Sequence, residues 1–407
     1  MSYNEQVLER YSSALLDLFG QPALVLTSGK AAKVTDINGK EYLDLLAGIA
    51  VNALGHAHPA WLAALAEQAQ KLVHISNFFT SQPQIDLAHR LLELLDSPHP
   101  ARVFFSNSGT EANELAYKLA RRHANLTGKT KLLALENGFH GRSLGALSLT
   151  HKPSYRQPFE PLPTGIKHIP ANIAALEAAM DDQVAAIILE PIQGEAGVLE
   201  LEEGYLSRAR QLSRHYGALL IIDEVQTGMG RTGRWFESSR ELSGENLADV
   251  ITLAKGLGGG FPIGACIVNG QETLNLLAPG MHGSTFGGNP LATAVALATI
   301  NTLDREQLLD KAAALGRQVR NQLETLEHVQ ATSGAGLLIG IELRDSQTSS
   351  GAALGPACVK EGLNQGFIFN ATGASRLRIA PPLVITDQQL NSFVQALPHI
   401  VERASQR

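Results

Sequence analysis

The chain alternates between short apolar runs and longer amphipathic segments over its middle part, from about residue 61 to residue 303. The amphipathic segments at residues 61–72 and 206–215 have helical spacing. The short apolar runs, which have the composition of buried strands, are residues 103–105, 186–189, 219–222 and 250–253. Strands that alternate with helices in this way are typical of a parallel sheet with helical crossovers.

The two ends of the chain follow a different pattern. A polar turn at residues 35–40 predicts a hairpin, and the last hundred residues mix helical and strand patterns. We therefore predict an α/β fold in which residues 61–302 form a large domain, with a mainly parallel central sheet and helices on both faces. Residues 1–60 and 303–407 are expected to form a smaller α+β domain.

Composition narrows the class of protein. With 407 residues, the chain is long enough for two or three packed units and a closed site. Its two cysteines, Cys266 and Cys358, lie far apart, which favours a reducing cytoplasm. The formal charge of −6, with basic residues scattered, predicts no nucleic-acid partner. The start does not resemble a secretory signal and no apolar stretch approaches the roughly 20 residues that span a bilayer, so we expect small-molecule chemistry away from membranes.

Polar side chains follow three of the predicted strands. Glu190 follows one apolar run, Asp223 the next, and Lys255 comes shortly after the third. Because ligands of open α/β sheets bind at the carboxyl ends of strands, we expect Asp223 and Lys255 to face one crevice. The glycine-rich residues 256–260 let the backbone approach a bulky ligand closely. Taken singly, Asp223 is equally well interpreted as a helix cap and Lys255 as a solvated side chain, but together they favour a site.

A phosphate site is predicted where the strand at residues 102–105 runs into an amphipathic helix that extends to about residue 122. Ser108 and Glu111 fit the capping box of a helix start. The first helical turn offers unpaired N–H groups and a partial positive charge, and the hydroxyls of Ser108 and Thr110 add donors. Because a capping box alone is usually structural, this prediction depends on the neighbouring strand ends.

Two other patterns are rejected as sites. Residues 228–233 have the glycine spacing of a nicotinamide dinucleotide site, but five residues separate Gly228 from the strand end at Ile222, whereas that fingerprint lies directly at a strand-to-helix turn. An NAD-dependent oxidoreductase is therefore a remote alternative. His56 and His58 lack a third metal ligand in the sequence pattern, and no metal is assigned.

The motifs together resemble the class III aminotransferases, which have fold type I and depend on pyridoxal 5'-phosphate. The segments that carry the resemblance are residues 107–114, 139–142, 190–195, 223–228 and 253–256. Within that class, residues 48–56 and 282–290 resemble the acetylornithine aminotransferases of arginine biosynthesis.

The resemblance implies roles for individual residues around this cofactor. Lys255 would bind it covalently and act in catalysis, and Asp223 would lie against its pyridine nitrogen, which a buried carboxylate keeps protonated. The remaining implied contacts are Ser108, Gly109 and Thr110 with the phosphate, Phe139 with the ring face, Gln226 with the ring hydroxyl, and Thr285 with the phosphate of the partner in a homodimer.

The substrate residues also follow from the resemblance. Arg142 would bind the remote carboxylate and Arg378 the α-carboxylate of glutamate, with Ser284 in the substrate site. Glu195 is expected to neutralise Arg378 while acetylornithine is bound and to move aside for glutamate. Without the family, a structural ion pair is a strong alternative for both arginines.

The expected reaction is transamination between N-acetylornithine and 2-oxoglutarate, with the active sites shared across the dimer. Ornithine, succinyl-ornithine, succinyl-diaminopimelate and 4-aminobutyrate remain alternative amino donors. A non-catalytic descendant is expected to lack Lys255 or Asp223, and both are present.

Overall fold

The computed structural model describes residues 3–407, so residues 1 and 2, at the start of the predicted small domain, lie outside the described part. Its central feature is a seven-stranded sheet within those residues. The strands of this sheet are β4 (Ala101–Ser106), β5 (Lys131–Leu135), β6 (Ile166–Ile169), β7 (Val184–Leu189), β10 (Leu219–Asp223), β11 (Val250–Leu253) and β12 (Gly264–Asn269).

The strand order in this sheet is β4-β12-β11-β10-β7-β5-β6. β10 is parallel to β7 and β11, and β5 is parallel to β6 and β7. Only β12 runs against its neighbours β11 and β4 in the described sheet. The predicted mainly parallel sheet is therefore confirmed, and all four predicted apolar runs lie within its strands.

Helices cover both faces of this sheet because its strands are apolar on both sides. In β7, Val184, Ile187 and Leu189 join one hydrophobic core, and Ala186 and Ile188 join another on the opposite face. The helices before and within this part of the chain are α3 (Pro59–Ala69), α4 (Gln82–Leu95), α5 (Gly109–Thr127), α6 (Leu144–Leu149), α7 (Pro153–Arg156), α8 (Ile173–Ala179), α9 (Tyr205–His215), α10 (Gln271–Leu274) and α11 (Pro290–Arg305).

The two ends of the chain share a sheet. The parallel pair of β3 (Glu41–Asp44) and β15 (Phe367–Ile368) joins an N-terminal hairpin to a C-terminal strand. The predicted turn at residues 35–40 is confirmed between β2 (Lys33–Asp36) and β3. The fourth strand of this sheet is β1 (Leu26–Lys30). A separate two-stranded sheet, which follows β7 in the chain, consists of β8 (Ile192–Gln193) and β9 (Leu199–Glu200).

A further antiparallel sheet and several helices complete the described chain. The sheet contains β13 (Val329–Ala335), β14 (Leu338–Leu343), β16 (Asn370–Ala371) and β17 (Arg376–Ile379), and the helices are α1 (Tyr3–Ala14), the irregular turn α2 (Ala47–Ala50), α12 (Leu308–Leu323), α13 (Leu354–Asn364) and α14 (Asp387–Ser405). A separate hydrophobic core joins residues from both chain ends. The exact domain boundaries stay a prediction. No helix among the described residues is long and apolar enough to cross a membrane.

Candidate active site

The carboxyl ends of the central strands open into a cavity of about 390 Å³. Asp223 ends β10, Lys255 lies two residues after the neighbouring strand β11, and Glu190 directly follows β7. All three side chains line this cavity. The prediction that Asp223 and Lys255 share one crevice is confirmed, and the reason is the adjacency of parallel strands.

Lys255 is an amine held in a buried position. Burial lowers the pKa of its amine, because a charged ammonium loses its hydration; Glu195 opposes this shift and Arg378 adds to it. The backbone of Lys255 has φ of +40°, a left-handed conformation that costs a non-glycine residue about 1–3 kcal/mol. A strained backbone and a lysine with a lowered pKa together mark a functional position.

Asp223 is 3% exposed, and each oxygen of its carboxylate accepts at least one hydrogen bond. Its Oδ2 accepts hydrogen bonds from Nδ1 of His140 at 2.8 Å and Nδ2 of Asn113 at 2.7 Å, and its Oδ1 accepts one from the backbone N–H of Val225 at 3.0 Å. Burial alone would lower the pKa of His140, but the hydrogen bond and charge of Asp223 raise it. The carboxylate is therefore fixed in orientation at the floor of the cavity.

His140 and Glu190 are site residues to which the sequence interpretation assigned no role. Nε2 of His140 is buried and has no hydrogen-bond partner among the residues whose side chains the structure describes, 5–407. Glu190 accepts a hydrogen bond from the backbone N–H of Phe139 at 2.8 Å, and burial raises its pKa to about 7. Their positions in the quoted motifs, directly after Phe139 and directly after β7, were the available signal.

The predicted phosphate site lies at the start of α5, which begins at Gly109. Ser108 is the N-cap, and its hydroxyl accepts a hydrogen bond from the backbone N–H of Glu111 at 3.3 Å. The predicted capping box is wrong in its second half, because the Glu111 carboxylate accepts from the backbone N–H of Asn107 at 2.6 Å instead of from Ser108. Residues 107–110 line the cavity, so the unpaired N–H groups of the first helical turn are placed beside it.

All hydrogen bonds of the Thr110 hydroxyl are made with other groups of the protein. It accepts hydrogen bonds from the backbone N–H groups of Arg142 and Ser143, both at 3.1 Å, and shares a 2.8 Å hydrogen bond with the Ser143 hydroxyl. Since the Ser143 hydroxyl donates to Glu114 at 2.9 Å, the Thr110 proton is used as well. Thr110 thus offers a phosphate its backbone N–H, and the expectation of a free hydroxyl donor is wrong.

Arg378 and Glu195 form an ion pair at the edge of the cavity. Nη1 of Arg378 lies 2.6 Å from Oε1 of Glu195, and Nε2 of Gln226 donates to the same oxygen at 3.3 Å. Burial alone would raise the pKa of Glu195, but the charges of Arg378 and Lys255 outweigh it and lower the pKa. Glu195 and Gln226 line the cavity, and Arg378, which is 1% exposed, lies beneath them.

Arg142 is the exposed cation of the cavity wall. Its guanidinium stacks 3.6 Å from the ring centre of Tyr155 and 5.7 Å from that of Phe139. Arg142 and Phe139 both line the cavity, and the roles of substrate clamp and ring cover that the resemblance implies for them stay predictions. Stacking on aromatic faces holds a guanidinium while its N–H edge stays available to a carboxylate.

Ser284 and Thr285 are not brought to the cavity by this chain. Within the described part of one chain, neither residue lines it. The Ser284 hydroxyl accepts hydrogen bonds from Nδ2 of Asn107 at 3.2 Å and from the backbone N–H of Gly287 at 2.9 Å. Thr285 is exposed. Ser284 therefore supports a residue of the phosphate site, and its predicted contact with substrate stays a prediction.

The glycine-rich residues 228–233 and the two histidines His56 and His58, which were rejected as sites, have structural roles. Residues 228–233 form turns, and Gly233 lies against Ala313 of α12. His56 bonds to Asp44 at 2.9 Å, and His58 caps α3. Within residues 3–407, no group of three or more histidine, cysteine or acidic side chains is arranged to hold a metal ion.

The donor set fits a flat, phosphorylated aromatic aldehyde. Lys255 supplies a buried amine, Asp223 a buried carboxylate, and the start of α5 supplies N–H groups for a phosphate. Val225 and Phe139 add apolar wall on the same cavity. These are the groups that pyridoxal phosphate requires from a protein.

Comparison with known proteins agrees with this chemistry. The chain matches the family described as aminotransferase class-III over residues 19–401. It is 48% identical over 400 residues to the acetylornithine aminotransferase of Mycolicibacterium smegmatis, covering 98% of each chain.

Solved structures give the same result. The ornithine aminotransferase from Toxoplasma gondii ME49 is similar with a TM-score of 0.90 and 33% identity, covering 99% of this chain and 96% of that one. The N-acetylornithine aminotransferase from Stenotrophomonas maltophilia K279a is similar with a TM-score of 0.80 and 33% identity, covering 97% and 98%. This chain therefore belongs to the class-III aminotransferases, and its cofactor is pyridoxal phosphate.

Proposed function

We propose that the chain transfers the terminal amino group of N2-acetyl-L-ornithine to 2-oxoglutarate, giving N-acetyl-L-glutamate 5-semialdehyde and L-glutamate, in arginine biosynthesis. The observation that carries this proposal is the ion pair between Arg378 and Glu195, with 2.6 Å between Nη1 and Oε1. The full-length similarity to the acetylornithine aminotransferase of M. smegmatis supports the choice of amino donor.

The ion pair answers a geometric problem posed by the two substrates. Acetylornithine reacts at an amine remote from its carboxylate, whereas glutamate reacts at an amine beside one carboxylate with a second carboxylate remote. A fixed free cation next to the reacting amine would suit glutamate alone. Glu195 neutralises Arg378 for acetylornithine and moves aside for glutamate, while Arg142 binds the remote carboxylate of either substrate.

The buried groups assist proton transfer at the reacting carbon. Bound pyridoxal phosphate supplies an electron sink that stabilises negative charge on the substrate carbon beside the amine. Once the substrate amine has replaced it on the cofactor, the released amine of Lys255 would accept the proton from that carbon, and its lowered pKa keeps the neutral, basic form accessible. The carboxylate of Asp223 would favour the protonated, positively charged form of the cofactor's pyridine nitrogen. Hydrogen bonds from His140 and Asn113 fix the orientation of this carboxylate.

A homodimer with shared active sites is part of the proposal. Thr285 is exposed, and Asn77 donates to the backbone oxygens of Ser284 at 3.0 Å and Gly287 at 3.1 Å, which joins two loops. These loops carry the exposed side chains of Phe78 and Phe286. Large exposed apolar side chains on adjoining loops are typical of a protein interface, which would bring Thr285 to the partner's cofactor phosphate.

The alternative amino donors are ornithine, succinyl-ornithine, succinyl-diaminopimelate and 4-aminobutyrate. Ornithine is favoured among them by the similarity to the T. gondii ornithine aminotransferase. The fold and the ion pair serve any donor that reacts at a terminal amine, so turnover with each donor decides among them.

A panel of amino donors, combined with Glu195→Gln, tests the proposal. Wild-type enzyme should convert acetylornithine with the highest kcat/KM. Glu195→Gln should weaken the half-reaction with acetylornithine selectively, by about tenfold or more, because the unneutralised charge of Arg378 disfavours the correct pose. Equal losses in both half-reactions would refute the proposal that Glu195 neutralises Arg378 only for acetylornithine. A higher kcat/KM with another donor would refute acetylornithine as the preferred substrate.

A further inference from the structure

The guanidinium of Arg378 has neutral hydrogen-bond partners besides Glu195. Nη1 donates to the backbone oxygen of Gly194 at 3.0 Å and to Oε1 of Gln226 at 3.1 Å. Nε donates to Oδ1 of Asn370 at 3.1 Å. In the part of the chain that the structure describes, Nη2 is buried without a partner. The neutral acceptors therefore fix one edge of the guanidinium and leave Nη2 unused.

The neutral hydrogen-bond partners of Arg378 keep its guanidinium oriented after Glu195 has moved aside. Arginine has five N–H donors in a rigid planar fork. Without Glu195, the contact of Nε with Asn370 and those of Nη1 with Gly194 and Gln226 still define the plane of the fork. Among the described residues, Nη2 has no partner in either case, and Nη1 has lost its charged partner. Nη2 can bind a carboxylate oxygen in the plane that these contacts fix.

Asn370 is suited to hold the fork because its own position is rigid. It pairs with Arg378 across the antiparallel strands β16 and β17. The preceding residue, Phe369, is 2% exposed, and its ring centre lies 5.4 Å from that of Phe393. One residue earlier, the backbone oxygen of Ile368 accepts from the N–H of Leu45 at 2.8 Å. The acceptor for Nε is thus built into two sheets and a packed core.

We propose that Asn370 is a positioning residue that determines how Arg378 recognises the α-carboxylate of glutamate and 2-oxoglutarate. This inference rests on the proposed function, in which Arg378 binds that carboxylate only after Glu195 has left. In the half-reaction with acetylornithine, Glu195 holds Arg378 by charge, and the contact from Asn370 is dispensable. In the half-reaction with 2-oxoglutarate, Asn370 supplies the hydrogen bond that sets the plane of the guanidinium.

The test compares Asn370→Leu, which has similar size and no acceptor, with wild-type holoenzyme. A hydrogen bond to a charged group is worth enough to change binding by about tenfold or more. We expect the KM for 2-oxoglutarate to rise by at least that factor, and the affinity for glutarate, an unreactive dicarboxylate, to fall in parallel by calorimetry. The single-turnover rate and apparent affinity with acetylornithine should stay within about twofold of wild type.

Two outcomes would overturn the inference. Equal losses in both half-reactions would give Asn370 a general structural role, and an unchanged KM for 2-oxoglutarate would mean that Arg378 is oriented without it. Asn370→Ala serves the same comparison if the leucine variant does not fold. A wild-type enzyme that does not accept 2-oxoglutarate would refute the proposed function itself, which separates that failure from failure of the inference.

Discussion

At the scale of single residues, the cavity gathers ionisable groups whose charges depend on one another. His140, Asp223 and Glu190 are nearly inaccessible to solvent, with 2%, 3% and 5% of their surfaces exposed. The charge of Asp223 raises the pKa of His140, and burial raises the pKa of Glu190. Because these groups lie within a single cavity wall, a change of charge on one alters the protonation of the others.

The raised pKa of Glu190 predicts a pH dependence of stability. Folding raises this pKa from 4.5 to about 7, so the folded protein binds the proton more tightly than the unfolded chain. The resulting stabilisation is complete below the unfolded pKa and is lost as pH rises through the folded value. Glu190→Gln keeps an acceptor for the Phe139 N–H but does not titrate. The variant without cofactor should therefore lose less thermal stability than wild type over that pH interval.

The matched control for Glu190 is Glu203→Gln, which removes an exposed glutamate. Its melting temperature, followed by circular dichroism across the same pH values, should parallel that of wild type. If Glu190→Gln also parallels wild type, the carboxyl group of Glu190 is not held in its protonated form.

The sequence predicts some residues of the site better than others. Asp223 and Lys255 follow buried strands, and the rule for strand ends in parallel sheets places them together. His140 approaches from a loop 83 residues before Asp223, and no local pattern joins the two. Asn370 lies only eight residues before Arg378, but their contact depends on how the short strands β16 and β17 pair. Contacts of this kind depend on tertiary packing, which hydrophobic periodicity does not encode.

At the scale of elements, the start of α5 does more than line the cavity with the N–H groups proposed to bind a phosphate. Through the Thr110 hydroxyl it also holds the loop that carries Arg142. A Cβ on Gly141 would come within 2.3 Å of the Thr110 Oγ1, so this loop lies close against the helix. The proposed phosphate site and the loop of Arg142, the proposed substrate clamp, are thus held together by one hydroxyl.

Thr110→Val tests this connection, because valine has the same shape and no hydroxyl. Two backbone N–H groups lose their acceptor, and an unsatisfied partly buried donor costs about 1–3 kcal/mol. We expect Thr110→Val to lower the free energy of unfolding by about that amount and to raise the KM for both dicarboxylate substrates through Arg142. Thr127→Val, at the exposed end of the same helix, should change neither quantity appreciably. Equal effects of the two substitutions would contradict the role assigned to Thr110.

Most elements of the central sheet are predictable from the sequence, but their directions and ends are less so. The helix predicted at residues 61–72 spans Pro59–Ala69, and the helix predicted to end near residue 122 continues to Thr127. β12 runs against its neighbours, which an apolar run does not reveal, because periodicity carries no information on strand direction. The capping pattern at residues 108–111 is satisfied only in part because Asn107 competes for the carboxylate.

At the scale of the whole molecule, exposed aromatic side chains surround the loop of Thr285. Phe78 is 93% exposed and Phe286 is 59% exposed in the single chain. Burying such side chains is favourable by about 25 cal/mol per Å² of apolar surface. A second copy of the chain is therefore the expected occupant of this face, as the proposed dimer requires.

Phe78→Asp should convert the proposed dimer into monomer, because burying a carboxylate against apolar surface is costly. Light scattering coupled to gel filtration would measure the mass, and a loss of cofactor affinity should accompany dissociation if Thr285 of the partner subunit contacts the phosphate. Phe159→Asp, at another exposed phenylalanine, is the control and should leave the mass unchanged. If the wild-type protein had the mass of a monomer and were fully active, the proposal that the active sites are shared across a dimer would be refuted.

The proposed chemistry requires that Lys255 bind the cofactor in the cavity that it shares with Asp223. The direct measurement is reduction of the holoenzyme with borohydride, which makes a carbon–nitrogen double bond to the cofactor permanent, followed by mass spectrometry of peptides. We expect the added mass on Lys255, and we expect Lys255→Ala neither to retain the label nor to turn over substrate. Labelling of a different lysine, or turnover by Lys255→Ala, would contradict the proposed chemistry.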